Sequence, residues 1–179
     1  MKLSINPNNL SSWSGSILIL GILEENIQDQ LFVLEGQLNS DSLNETLKAR
    51  EFLGKAGQKF SVDLVDDNRL EKLILIGLGE AKSLSIREIR KATALGCKAS
   101  LGHYGKIGIH FPWHKFDPKE ASKAIGEAAR LSIFKDQRFL SDPKPQQYPT
   151  HIELIGIPEI AKQSINEVNP ICAGVELAR

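Results

Sequence analysis

The chain has 179 residues, of which 41% are hydrophobic and 25% are charged. These values are typical of one folded domain with a real core, and they argue against two large domains or extensive disorder. The 22 basic and 22 acidic residues give a formal net charge of zero, so no overall electrostatic attraction to nucleic acid or to an anionic membrane is expected.

The cysteines and the amino terminus indicate the compartment. Cys97 and Cys172 lie far apart, without the spacing of a metal site or the density of a secreted disulfide scaffold. The first residues contain no apolar run of signal-peptide length, and no stretch reaches the roughly 18 apolar residues of a membrane span. We therefore expect a soluble, cytoplasmic protein that does not bind membranes.

Short apolar runs predict the strands, and each run is bounded by polar or turn residues. The five clearest are Lys2–Asn6, Ser16–Leu23, Lys72–Gly79, Lys106–Phe111 and His151–Ile157. The alternating run Lys59–Val65 is a candidate sixth strand. The run Lys72–Gly79 is apolar without alternation, as expected of a strand covered on both faces, so we place it in the middle of the sheet.

Helical patterns lie between these strands. Three have the spacing of an amphipathic helix: Asp41–Leu53, Ser85–Gly102 and Asp117–Phe134. Ser85 and Asp117 are the predicted caps of the second and third. A fourth region, Pro158–Arg179, is expected to be broken or kinked at Pro170, and Asn169 could cap a helix that starts there. Strands that alternate with helices predict an α/β fold with a mixed, largely parallel sheet of five to six strands.

The segment that follows the third clear strand has the layout of a phosphate-binding loop. Gly77 and Gly79 end the strand, and a capped helix follows. Lys82 occupies the position of the third glycine, however, and no glycine–lysine–serine or glycine–lysine–threonine sequence follows to complete a nucleotide motif. A tight strand-to-helix turn is therefore favoured over nucleotide binding.

Other candidate sites are weaker. His110 and His114 are four residues apart, but Pro112 between them argues against a metal-binding helix. The cluster of Asp63, Asp66 and Asp67 lacks the glycine and the distal glutamate of a calcium loop, which favours a solvated turn. Cys97 is predicted to be a packed helical residue, because nothing places a histidine beside it.

The connection Phe134–Thr150 contains three prolines and no apolar period, so it is predicted to be an extended surface segment. Its first residues interleave two aromatic side chains with Lys135 and Arg138, a pattern also used to bind single-stranded nucleic acid. In a neutral domain the pattern fits a docking segment at least as well. The residues taken alone therefore indicate an α/β domain without an assembled catalytic site.

Several stretches, in order, resemble the amino-terminal domain of the leucyl aminopeptidase (cytosol aminopeptidase) family. They are KLILIGLGEAKSLSIREIRKA, AIGEAARLSIFKDQRFLSD and, most sharply, ICAGVELAR, which resembles the start of the helix that joins the two domains of the family. The resemblance implies a fold similar to macro domains. It divides the chain into an amino-terminal domain, 1–168, and the start of the interdomain helix, 169–179.

The resemblance also implies where the chemistry lies. In this family two divalent metal ions, manganese or zinc, are held by a carboxyl-terminal catalytic domain that this chain lacks. We therefore assign no catalytic, cofactor-binding or metal-binding residue to the chain. The implied partners are its own catalytic domain, identical subunits of a homohexamer and, through the parent enzyme, peptide substrates.

Two alternatives remain open. The chain could be a free-standing module of macro-domain type that binds an ADP-ribose-like ligand at the turn after Gly79, or an accessory domain that binds nucleic acid. The neutral charge argues against the second. The helix near the carboxyl terminus has no stop signal, so we expect Val175–Arg179 to be poorly packed or held by a neighbouring chain.

Overall fold

A computed structural model describes residues 2–34, 40–64, 70–134 and 149–178. Its strands form one six-stranded sheet in the order β1-β6-β5-β2-β4-β3, and every neighbouring pair is parallel except the antiparallel pair β3 and β4. The strands are β1 (Lys2–Asn6), β2 (Ile17–Leu23), β3 (Lys59–Asp63), β4 (Lys72–Gly79), β5 (Gly105–His110) and β6 (Pro149–Ile155). The predicted α/β class and mixed sheet are confirmed, and the candidate sixth strand is present as β3.

The α-helices are α1 (Ile27–Leu31), α2 (Ser40–Ala49), α3 (Ile86–Ala99), α4 (Pro118–Ile133) and α5 (Lys162–Leu177), of which the first four lie between strands and α5 follows β6. Two of the predicted caps are formed. The side chain of Ser85 accepts a hydrogen bond from the backbone of Glu88, and Asp117 accepts bonds from Lys119 and Glu120. In the described residues no helix combines the length and the apolar character needed to cross a bilayer.

The first face of the sheet is covered by α3, α4 and α5. Small residues let these helices approach closely: a Cβ added to Gly96 in α3 would lie 2.6 Å from a methyl group of Ile19 in β2. At the contact between α4 and α5, a Cβ on Gly126 would meet Ile165 and Val168. The glycines therefore fix the distance between layers, which close packing of the core requires.

The second face is covered by α1, α2 and the short helical turn Leu10–Ser12. Leu43 and Leu47 of α2, predicted as an apolar pair, are buried in this layer. The helix ends at Ala49 rather than at Leu53, because Glu51 adopts a positive φ of 51° that a right-handed helix cannot continue through.

Two predictions about individual elements need correction. Strand β4 is buried on both faces, but it lies next to the edge strand β3, so the centre of the sheet is formed by β2 and β5. Helix α5 runs without a break from Lys162 to Leu177, with Pro170 inside it. Asn169 therefore caps no helix: its carbonyl and side-chain oxygens both accept hydrogen bonds from Arg130 of α4.

The last turn of α5 contacts α4 through one side chain and exposes another to solvent. Glu176 forms a two-bonded ion pair with Arg130, with both N–O distances at 2.8 Å, whereas the side chain of Leu177 is 76% exposed. The last turn is thus held to α4 by charge and presents an apolar side chain to solvent.

Candidate functional site

The carboxyl ends of the five parallel strands lie at one edge of the sheet, where α/β proteins commonly bind ligands. The turn after β4 is the candidate there. The backbone N–H of Gly77 donates to the carbonyl of Gln58 at 2.8 Å, and that of Gly79 donates to the carbonyl of Gly54 at 2.9 Å. Both backbone amides that could have bound a phosphate therefore already donate hydrogen bonds to carbonyl groups of the chain.

Segment 54–58 fills the space beside this turn. A Cβ on Gly77 would lie 2.1 Å from the carbonyl oxygen of Lys55, far inside contact distance. Gly79 has a φ of 79°, which favours glycine. Gly77 is therefore required by a close approach of the chain to itself and Gly79 by its backbone conformation, which supports the tight-turn interpretation.

A third backbone amide of this turn, that of Ala81, binds a carboxylate of the chain. Both side-chain oxygens of Glu25, in the loop after β2, accept from the backbone N–H of Ala81 at 3.0 and 3.1 Å. That hydrogen bond is the main cause that lowers the pKa of Glu25, and Lys115 and Lys82 lower it further. The position where a bound anion would sit is thus taken by Glu25.

Gln30 of α1 holds the loop that carries Glu25. Its side-chain oxygen accepts from the backbone N–H of Leu23 at 2.8 Å, and its amide nitrogen donates to the carbonyls of Leu23 and Glu25. Sequence reasoning missed both Glu25 and Gln30, because neither belongs to a motif and their partners lie in other elements.

The histidine pair is separated by the fold. His110 ends β5, where its Nδ1 lies 3.1 Å from the carbonyl of Ile155 and burial lowers its pKa, while His114 is exposed in a short helical turn. Among the residues that the structure describes, no three His, Cys, Asp or Glu side chains are arranged to hold a metal ion. This donor set does not fit a two-metal centre.

A serine, a histidine and a glutamate do meet on the second face of the sheet. The Oγ of Ser4 lies 2.6 Å from Nε2 of His151, and a carboxylate oxygen of Glu153 lies 3.8 Å from the same Nε2. In a nucleophilic triad the serine and the acid occupy different ring nitrogens, so this geometry does not activate a nucleophile. Burial is the main cause that lowers the pKa of His151, and Glu153 opposes the shift.

Glu153 has a structural partner instead. Its other oxygen accepts from the indole N–H of Trp13 at 2.9 Å and lies 3.5 Å from the ammonium of Lys106. The indole packs on Gly15 and Gly108, where an added Cβ would collide with it. The cluster therefore fixes Trp13 as a cover for this part of the sheet.

The remaining candidates from the sequence are distributed as follows. Cys97 is fully buried, and burial raises the pKa of its thiol to about 12, so it behaves as a packed residue. Asp63 pairs with Lys72 at 3.0 Å. Asp66 and Asp67 lie outside the described residues, as do Lys135 and Arg138 with most of the predicted surface connection.

The sequence model of the cytosol aminopeptidase family, N-terminal domain, matches residues 19–143. The chain belongs to this family. A probable cytosol aminopeptidase of Prochlorococcus marinus (strain SARG) is 51% identical over 179 residues, and that of strain MIT 9211 is 44% identical. Both matches cover the whole chain but 36% of the relative's length. The family resemblance read from the sequence is confirmed.

Solved structures show the same fold. A tomato leucine aminopeptidase mutant superimposes with a TM-score of 0.76 at 23% identity, over 100% of this chain and 37% of its own length. The bottromycin maturation enzyme BotP in complex with Mn gives a TM-score of 0.64 at 17% identity, over 92% and 31%. The family member described here therefore spans about a third of the relatives that it matches.

Proposed function

We propose that the chain is the non-catalytic amino-terminal domain of a cytoplasmic aminopeptidase that removes amino-terminal residues from peptides. The observation that carries the proposal is that the whole chain matches a region that makes up 36% of the length of a probable cytosol aminopeptidase. Two divalent ions, manganese or zinc, would act in the remainder of the enzyme by activating water and polarising the scissile carbonyl. The domain supports subunit assembly and shapes substrate access.

The chemistry of the described residues supports a non-catalytic role. The glycine turn after β4 is closed by segment 54–58 and by Glu25, and the Ser4–His151–Glu153 cluster lacks the geometry of a triad. Both cysteines are buried free thiols. No step of peptide hydrolysis is therefore assigned to residues of this chain.

The proposal is tested by assaying the purified 179-residue chain with manganese and then with zinc on leucine amide. We expect no turnover above the rate of the metal alone. Turnover that depends on the chain would contradict the non-catalytic role. A longer chain that continues from the codon after Arg179 of the source gene serves as the active control, and a stop codon at that point would contradict the two-domain parent.

The macro-type alternative has its own test, and the geometry argues against it. The amides of Gly77, Gly79 and Ala81 already donate to oxygens of the chain. In titration calorimetry with ADP-ribose we therefore expect no heat of binding. Tight binding would favour a ligand-binding module instead.

A further inference from the structure

Strand β3 forms one edge of the sheet, and its backbone hydrogen bonds alternate in direction. Gly77 donates to the carbonyl of Gln58, and Leu64 donates to the carbonyl of Glu71. Because antiparallel ladders alternate, the even-numbered residues of this stretch bond to β4 and the odd-numbered residues direct their N–H and C=O groups outward. In the described part of the chain, no strand pairs with this outer edge.

The three outward-bonding residues form a self-complementary sequence. They are Lys59, Ser61 and Asp63, and all three have exposed side chains. In an antiparallel pair centred on Ser61, Lys59 of one copy lies opposite Asp63 of the other, at both ends of the contact. Charged residues often prevent pairing at sheet edges, but here the opposite charges favour pairing with an identical strand.

The side chains on the second face of the sheet fit the same arrangement. Phe60 and Val62 are half-buried there, and in the paired arrangement Phe60 of each copy would lie opposite Val62 of the other. Beside them lies an open groove of about 450 Å³ between α2 and β3, lined in part by Arg50 and Phe52. Pairing would cover this groove and add apolar contact to the backbone hydrogen bonds.

We infer that β3 is an association surface for a second copy of this chain, which pairs antiparallel about Ser61 and continues the sheet across the interface. The outward N–H groups of each strand then donate to the outward carbonyls of the other without altering the pairing of β3 with β4. The inference names the surface through which the domain would support subunit assembly. In that respect it rests on the assembly role proposed above.

Charge reversal tests the inference directly. Lys59→Asp places the new carboxylate opposite Asp63 of the second copy, and Asp63→Lys places two ammonium groups opposite each other. Each substitution changes both ends of the symmetric contact. We therefore expect each to weaken self-association of the chain about tenfold or more, as measured by sedimentation velocity over a concentration series.

Mixing the two variants gives the sharper result. In a mixed pair, positions 59 and 63 are both acidic in one chain and both basic in the other, so each facing pair of side chains has opposite charges. Association should therefore return to at least the level of the unmodified chain. Asp63 also pairs with Lys72 in its own chain, so circular dichroism is used to verify that Asp63→Lys is folded. Lys2→Asp, the same change on the exposed end of the opposite edge strand β1, is the matched control and should associate normally.

Three results would overturn the inference: an unmodified chain that stays monomeric up to about 1 mM, association that Lys59→Asp leaves unchanged, or folded variants that fail to associate on mixing. The second result would assign the contact to another surface. These outcomes are separate from the peptidase assay. A catalytically empty chain that remains monomeric overturns only this inference, and an active chain that pairs through β3 overturns only the non-catalytic role.

Discussion

Single residues decide how the most ligand-like turn of the chain is used. Gly77 and Gly79 have the spacing that phosphate-binding loops use, yet their amides bond to carbonyls of segment 54–58. Glu25 then supplies a carboxylate to the backbone N–H of Ala81, where a bound anion would otherwise accept. A local pattern of glycines thus shows that something approaches the backbone closely. Whether that is a ligand or another segment of the chain depends on which atoms accept hydrogen bonds from the turn.

The close approach at Gly77 predicts a large cost for the smallest side chain. In Gly77→Ala the new methyl group would lie 2.1 Å from the carbonyl oxygen of Lys55, so segment 54–58 or β4 must shift. We expect the free energy of unfolding to fall by about 2–3 kcal/mol, measured by urea denaturation. An unchanged midpoint would contradict the packing described here.

Gly174 provides the matched control for that substitution. It lies in α5, is exposed and has nothing within 4 Å of an added Cβ. Because alanine favours the helix over glycine, Gly174→Ala should raise the free energy of unfolding by about 0.5–1 kcal/mol. The two substitutions add the same methyl group and should therefore move the midpoint in opposite directions.

At the scale of elements, α5 is held to α4 by both packing and charge. Ile165 and Val168 pack against Gly126, and Arg130 bonds to Asn169 and to Glu176. The side chains of Arg130 and Glu176 are only 20% and 18% exposed, so their ion pair is screened less than a surface pair. Hydrogen bonding to Arg130 is the main cause that lowers the pKa of Glu176.

A double-mutant cycle measures this contact between the two helices. With Arg130→Met, Glu176→Gln and the combined variant, we expect a coupling free energy of about 1–2 kcal/mol in urea denaturation, because the pair is two-bonded and mostly buried. The exposed pair Glu88 and Lys91 in α3 is the comparison, with an expected coupling below about 0.5 kcal/mol. Equal couplings would mean that the contact adds nothing beyond an ordinary surface pair.

The elements differ in how well the sequence predicts them. The bounds of β1 and β4 match the predicted runs, since apolar stretches between turn residues carry their own signal. The continuity of α5 was missed, because Asn169 and Pro170 are local stop-and-start signals that packing against α4 overrides. Glu25 and Gln30 were missed for a related reason: their roles depend on contacts between elements, which no spacing in the sequence reveals.

At the scale of the whole molecule, the sheet joins two apolar layers into one structure. Neighbouring residues of a single strand point into different layers: Leu18 and Leu20 of β2 belong to the apolar cluster of the second face, and Ile19 packs against Gly96 of α3 on the first face. Each layer also contains one of the two tryptophans, Trp13 in the second and Trp113 in the first. Loss of either layer would expose one side of the same strands.

The two tryptophans therefore allow the unfolding of each layer to be followed separately. Trp13→Phe leaves Trp113 to report on the first layer, and Trp113→Phe leaves Trp13 to report on the second. Because both layers share their strands, fluorescence and far-ultraviolet circular dichroism should give the same urea midpoint within each variant. Both side chains are buried, at 7% and 5% exposure, so each variant should also be less stable than the unmodified chain. A fluorescence midpoint for Trp13 that precedes the loss of secondary structure would instead show that the second layer opens by itself.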